Sequence, residues 1–404
     1  MGWKDTSNEF TSQWCNSINE IDRTDWIKIF GNRQIKAYDF FQAMEQSNFP
    51  NVEYHYLLIR KQRVMVSIIP CFCYHLDLLQ LVTSRNIKLM VNSLRCLFPR
   101  FFKLRTFVTG TYAATCEHFI EYDHNLDQAE ISELTKVLNW QLKKKYQNTN
   151  SQILFIKDVR ERDIDYAREI LDENFSFFAS FPTTAIPVFK EELPYPQALK
   201  KKNRKRYKIF KEKFKAEFTW EIITDFESYI PLLIELYQNV LKKAKNKFEV
   251  LNVDFFYNIN KYFPNTSFLL VAKDKNGEIR LMEIVLEEND RLLPLYLGIK
   301  YGDDNTKVLY LNTIFRTVEE AEIRRKELLD FGQTSYYPKV MSGALVENIY
   351  YGFWSNKFFL KRMIRHLFKK IFLPPLVPEN VYLEQYKEKA YRLLENKGFI
   401  LLNK

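Results

Sequence analysis

The sequence predicts an α/β protein, with mixed sheets of the α+β kind, built from two copies of one unit. Three observations carry this reading. Runs of alternating apolar residues are each followed by an amphipathic helical stretch and then by one further strand. That order occurs once in each half of the chain. The length, 404 residues, fits two domains at roughly 100–200 residues each.

In the first half, Glu53–Arg60 and Val64–Tyr74 read as strands around a Lys-Gln-Arg turn. Leu104–Gly110 is another strand, Asp127–Lys145 a helix, and Gln152–Asp158 the closing strand. The second half has sharper signals. Phe218–Thr224 is a strand, and Asp225 can cap a helix carrying Leu233, Leu236, Tyr237, Val240 and Leu241. A shorter helix follows around Val253–Tyr262. Ser267–Lys273 and Glu278–Leu286 flank Asn276-Gly277, a strong hairpin signal, and Arg291–Ile299 extends the meander. A helix from about Lys307 to Lys326 presents Leu311, Ile314, Phe315 and Val318 on one face, and Glu327–Gly332 returns as a strand. The expected division is an N-terminal domain, 1–165, and a C-terminal domain, 166–404, that holds the active site.

The hydrophobic fraction is 46% and the charged fraction 27%, ordinary for a globular protein and unlike a disordered tail or a polytopic membrane protein. Glycine is scarce, 10 residues in all. The formal charge is +10, so the placement of the cations matters more than their sum. The opening MGWKDTSNEF lacks an apolar signal core, and no apolar run approaches the ~20 residues of a membrane span. A cytoplasmic protein is expected, with peripheral membrane contact as an added property. Gly2 and Thr6 fit a loose N-myristoylation pattern, against which bulky Trp3 speaks. Five cysteines (Cys15, Cys71, Cys73, Cys96 and Cys116) make no disulfide scaffold. Cys71, Cys73 and His75 alternate on one strand face, but no second pair of metal spacing accompanies them, so no metal site is expected.

Three segments, taken in order, resemble the FemAB-like branch of the GNAT acyltransferase superfamily, whose members include aminoacyl-tRNA-dependent peptide-bridge transferases. Leu199-Lys-Lys-Lys-Asn-Arg-Lys-Arg-Tyr207 is similar to the basic segment that opens the second domain in that family. The meander and helix over 267–326 have the family's order. Leu329–Gly343 resembles its strand ending in an Asp-Phe-Gly step, followed by a Tyr-Lys and a Gly. Lys339 and Gly343 fill those places, although Pro338 separates Tyr337 from Lys339. The likeness covers roughly 195–355, and over 1–190 it is one of topology alone. It implies two tandem GNAT-like units and acyl transfer to an amine. The donor it implies is an aminoacyl-tRNA, an acyl-CoA or an acyl carrier protein, with no tightly bound cofactor. Acyl-CoA-dependent members carry a Gly-rich loop before the donor helix. Gly298 and Gly302 do not make that loop, and Asp303 and Asp304 would repel phosphate, which argues mildly against ordinary CoA binding.

Catalysis on such a scaffold needs positioning, a base for the amine and a polarised carbonyl. Glu283 lies on the middle strand with Leu281 and Val285, and a carboxylate on an apolar face suits base work. Tyr296, Tyr337 and Lys339 complete the catalytic candidates, with Asp330 and Tyr336 nearby. Lys200, Lys201, Arg204, Arg206, Lys300, Asn305, Thr306 and Lys307 are the donor-binding candidates. Lys200–Lys215 holds ten Lys or Arg and one acid, suited to an anionic donor carrier. A second basic element, about 357–373, sets Phe359, Leu360, Met363, Ile364, Leu367, Phe368, Ile371 and Phe372 in a helical stripe among cations, suited to an anionic membrane. The leading expectation is therefore an acyl- or aminoacyltransferase. The alternative is a non-catalytic protein of the same fold whose basic helices bind nucleic acid or anionic lipid.

Overall fold

Two mixed sheets organise a computed structural model that describes residues 4–5, 9–31, 33–81, 85–113, 115–189, 194–244, 249–302, 305–333, 335–358, 360–362, 366 and 380–402. Each sheet belongs to its own unit. Residues up to 180, with 249–251 and 349–358, form the first unit; 181–244, 252–348 and 380–402 form the second.

In the first unit the strands are β1 (Lys4–Asp5), β2 (Phe10–Cys15), β3 (Glu53–Lys61), β4 (Val64–Asp77), β5 (Lys103–Thr109), β6 (Glu121–Tyr122), β7 (Ile153–Arg160) and β8 (Ser176–Ala179). The helices are α1 (Arg23–Phe30), α2 (Tyr38–Gln46), α3 (Arg85–Leu97), α4 (Gln128–Asn148) and α5 (Ile164–Ile170). Antiparallel β2 to β5 lead through α4 to β7, which pairs parallel with β5. That is the meander, helix and strand expected from the alternation. The start of α4 is fixed by a capping box. The Asp127 carboxylate accepts from Glu130 N at 2.9 Å, and Glu130 accepts from Asp127 N at 2.8 Å. Not legible beforehand were α1, α2 and α3, or a strand from far along the chain, β16 (Ile349–Trp354), which lies between β7 and β8.

The second unit contains β9 (Thr183–Pro187), α6 (Lys201–Glu217), β10 (Phe218–Ile223), α7 (Ile230–Lys243), α8 (Val253–Tyr262), β11 (Ser267–Asp274), β12 (Ile279–Glu287), β13 (Arg291–Ile299), α9 (Thr306–Ile323), β14 (Leu328–Gly332), α10 (Tyr336–Met341) and β15 (Leu345–Glu347). Its strand order is β10-β11-β12-β13-β14-β9-β15. The hairpin between β11 and β12 turns where expected: Gly277 takes φ +79°, and its N–H bonds the Asp274 carbonyl at 2.9 Å. Asp225 does not cap α7. Its carboxylate faces the preceding turn, 3.5 Å from Glu227 N, and α7 begins later, at Ile230, with Pro231 in its first turn. One face of the sheet is covered by α9, through Val285, Leu311, Ile314 and Val318. Against the other lies α7, where Gly298 admits the helix backbone. A Cβ at Gly298 would stand 2.7 Å from Leu236 Cβ and 2.9 Å from Tyr237 N.

All five cysteines are free, and four of them are buried. No helix among the described residues is long and apolar enough to cross a membrane. Most of the basic stripe over 359–372 lies outside the described residues.

Candidate active site

The site is set by a divergence in the second sheet. Strand β13 pairs parallel with β14 through Arg291↔Leu328 and Leu292↔Leu329. The rest of β13 runs on past the end of that ladder, while β14 pairs along its length with β9 on its other side. Helix α9 makes the crossover, so its N-terminus follows the free end of β13. Among the described residues, strand ends that part beside a helix N-terminus leave backbone polar groups that an extended ligand can meet.

Glu283 sits mid-strand in β12, flanked by Leu270 and Leu297, on the face covered by α9. It is 7% exposed. Burial pushes its carboxyl up to about 7, opposed by the Thr317 hydroxyl and the Lys339 charge. Thr317 Oγ1 lies 3.0 Å from Glu283 Oε2. Lys339, on α10, is also buried, and its ammonium donates to the Phe331 carbonyl at 2.9 Å and the Gln333 carbonyl at 3.0 Å. Those carbonyls hold the charge close to the end of β14. Tyr310, one turn into α9, joins the group. Burial raises its phenol to about 12; a hydrogen bond to the Ser335 side chain lowers it and the Glu283 charge raises it. Ser335 itself is held in the left-handed region, at φ 51° and ψ 39°, a conformation that costs a non-glycine residue on the order of 1 kcal/mol.

Glu283 and Lys339 are thus brought together, with three residues the sequence reading did not single out: Tyr310, Thr317 and Ser335. A signal for two of them was present. Tyr310, Thr313 and Thr317 recur at i, i+3 and i+7, a polar seam beside the apolar stripe of α9.

Other candidates lie elsewhere. Tyr296 is opposite Ile284, not Glu283, and points to the far face of the sheet, where its ring meets Tyr237, Phe255 and Phe256. Tyr337 is exposed, and Tyr336 bonds the Pro182 carbonyl at 2.9 Å. Asp330 is a buried ion-pair partner: Arg291 Nη1 is 3.1 Å away, and Thr183 Oγ1 donates to it at 3.3 Å. Lys300 is paired with Glu278. Asn305 occupies the cap position of α9 without a side-chain capping bond, and Thr306 begins the helix. Lys307 stands 5.8 Å from the Phe210 ring of α6, which Arg206 and Lys213 approach at 5.9 and 6.0 Å. Three cations from two helices therefore collect around one ring near the α9 N-terminus. Lys200, at the start of α6, is within 3.8 Å of Glu384, while Lys201 is exposed and Arg204 half-buried. The helix is anchored to α9 by Asn312, which donates to the Phe210 carbonyl at 2.9 Å, and by Tyr207 and Lys211, both bonded to Glu319.

In the first unit, Glu53, His55 and Cys73 bring one metal-ligand atom each to within 4.8 Å of one another. Arg105 Nη2 already holds the Glu53 carboxylate at 2.7 Å. Cys71 is buried, and His75, at the strand's outer end, is exposed.

No family model and no curated protein matches the chain. Solved structures do. FemX superposes with a TM-score of 0.54 over 87% of this chain and 99% of its own, at 10% identity. The fold is similar to that of FemX. A tandem GNAT protein from the clavulanic acid biosynthesis pathway gives 0.48 over 84% and 98% of the two chains, at 8% identity. Myristoyl-CoA-bound N-myristoyltransferase of Saccharomyces cerevisiae gives 0.46 over 87% and 81%, at 10% identity. Two mixed α/β sheets, one in each unit, are the fold class that the sequence predicts.

Proposed function

We propose that the chain is an acyltransferase whose reaction centre is the cluster around Glu283 in the second unit. The observation that carries the reading is the buried Glu283 carboxyl, tuned to about 7 beside a strand pair that opens next to a helix N-terminus. A base serves best when its pKa lies near the working pH. In this reaction the amine nitrogen of the acceptor attacks the donor's acyl carbon. The C–N bond forms as Glu283 takes the amine proton, and the C–S or C–O bond to the carrier breaks, the proton passing to the departing sulfur or oxygen so that the carrier leaves as a thiol or hydroxyl. Lys339 and the amides at the head of α9 favour the negative charge that builds on the carbonyl oxygen. The cations around Phe210 supply the attraction for an anionic donor carrier, whether an aminoacyl-tRNA, an acyl-CoA or an acyl carrier protein.

The test is to incubate the protein with each donor class and a panel of amines, and to follow acyl transfer by mass spectrometry. One donor class is expected to react, and Glu283→Gln is expected to slow transfer by about 10²- to 10⁴-fold. Full activity in both Glu283→Gln and Lys339→Met would remove the site assignment.

A further inference from the structure

The first unit carries a surface that contains none of the residues assigned above to acyl transfer. Between Asp77 and Glu117 the sequence has no Asp or Glu and six Lys or Arg. This stretch contains α3 and the loop that leads to β5. At about 100° per residue, Leu89, Met90 and Leu97 share one side of α3, while Val91, on the other, is buried. All three are exposed, and Phe98 and Phe101 extend the apolar surface beyond the helix end; Leu97 is 76% and Phe98 62% exposed. Lys88 and Arg100 flank this surface, and Lys103 follows at the start of β5.

The patch is a built feature. Arg95 grips the Asp77 carboxylate with two bonds, at 2.6 and 2.9 Å, and its Nε donates to the Phe101 carbonyl at 2.8 Å. Phe101 N bonds the Phe98 carbonyl, and Leu78 N bonds the Phe102 carbonyl at 2.9 Å. The loop that presents the two phenylalanines is therefore tied to both β4 and α3.

We propose that the end of the first unit formed by Leu89–Lys103 docks on an anionic lipid bilayer, its apolar residues entering the headgroup boundary and its flanking cations meeting lipid phosphates. Exposed apolar residues flanked by Lys88, Arg100 and Lys103, with Asp77 already held by Arg95 and Glu53 by Arg105, match the two attractions a bilayer surface offers. Aliphatic Leu89, Met90 and Leu97 offer nothing to a nucleic-acid backbone, which sets the bilayer above RNA. This proposal is independent of the chemistry at Glu283 and of the basic stripe near the C-terminus.

The experiment is co-sedimentation of the full chain with phosphatidylcholine vesicles and with vesicles that also contain phosphatidylglycerol, over a salt series. Binding to the anionic vesicles is expected, and it weakens as salt rises. In Leu97→Asp/Phe98→Asp the partition coefficient is expected to fall roughly tenfold or more, with thermal stability unchanged because both side chains are exposed. Arg100→Glu/Lys103→Glu, which leaves the apolar residues in place, is expected to lose the preference for anionic over neutral vesicles. Absence of vesicle binding by the wild-type chain overturns the proposal, as does RNA or acidic-protein binding without it. Equal binding by wild type and Leu97→Asp/Phe98→Asp also overturns it, since the contact would then lie elsewhere, as in 358–373.

Discussion

Thr317 Oγ1 stands 3.0 Å from Glu283 Oε2 and 2.8 Å from the Thr313 carbonyl, so a single hydroxyl proton faces two acceptors. If the proton goes back to Thr313, the bond to Glu283 is completed only when the carboxyl carries its own proton and donates it. Burial favours that same neutral form. The Thr317 hydroxyl, where it donates to Glu283, opposes that effect and favours the carboxylate.

Because the folded carboxyl titrates near 7 rather than at its ordinary 4.5, the native state binds the extra proton between those values. Stability associated with this group is present below about pH 4.5 and lost as pH rises through 7. Glu283→Gln is therefore expected to raise the melting temperature relative to wild type at pH 8 and to change it little at pH 4. The corresponding gain is on the order of 3 kcal/mol at most. Thermal unfolding at the two pH values checks this, and equal shifts at both would show that Glu283 titrates normally.

Lys339 lowers the Glu283 carboxyl by charge. In Lys339→Met, the pH at which the rate reaches half its maximum is expected to move upward from about 7. The loss of its two bonds to the Phe331 and Gln333 carbonyls should also cost roughly 1–3 kcal/mol of stability. A pH–rate profile separates the two effects, since a purely structural Lys339 would leave the midpoint in place.

Asp330 differs in kind from Glu283. It is locked to Arg291, which is also bonded to Glu288 at 2.7 Å. Asp330→Ala is expected to cost about 3–5 kcal/mol by leaving a buried charge with one partner fewer. Urea titration tests this; a fully stable variant without activity would instead make Asp330 part of the chemistry.

At Gly298 the backbone of α7 passes so close that a methyl group meets Leu236 and Tyr237. Gly298→Ala is expected to destabilise the fold by about 1–3 kcal/mol, measurable as a lower urea midpoint with an unchanged slope.

Much of the second unit could be read locally. The alternation of β11 to β13, the Asn276-Gly277 turn and the stripe of α9 each depend on residues close in sequence. Glu283 was visible for the same reason, as a carboxylate in an apolar run. Register was not visible. Tyr296 falls opposite Ile284, and β12 and β13 slip register just beyond, between Ile284 and Val285, so only the paired strands reveal that Tyr296 turns away from Glu283. Short β9 bonds β14 across more than a hundred residues of chain, and nothing within five residues announces such a partner. Tyr310 and Thr317 mark a polar seam on α9, but only the packed β12 shows that a carboxyl faces it.

One consequence concerns the order in which the chain can be completed during synthesis. Among the described residues β8 has β16 as its partner in the first sheet, and β16 in turn bridges to β7. A ribosome releasing the protein from its N-terminus delivers β8 early and Ile349–Trp354 only after nearly the whole second unit has emerged. Until then the β7 edge stays open, an unpaired strand border of the type that invites wrong pairing. The first unit is begun first yet cannot be finished until most of the second has emerged, and a nascent chain stalled before residue 349 would carry its incomplete first sheet into the cell.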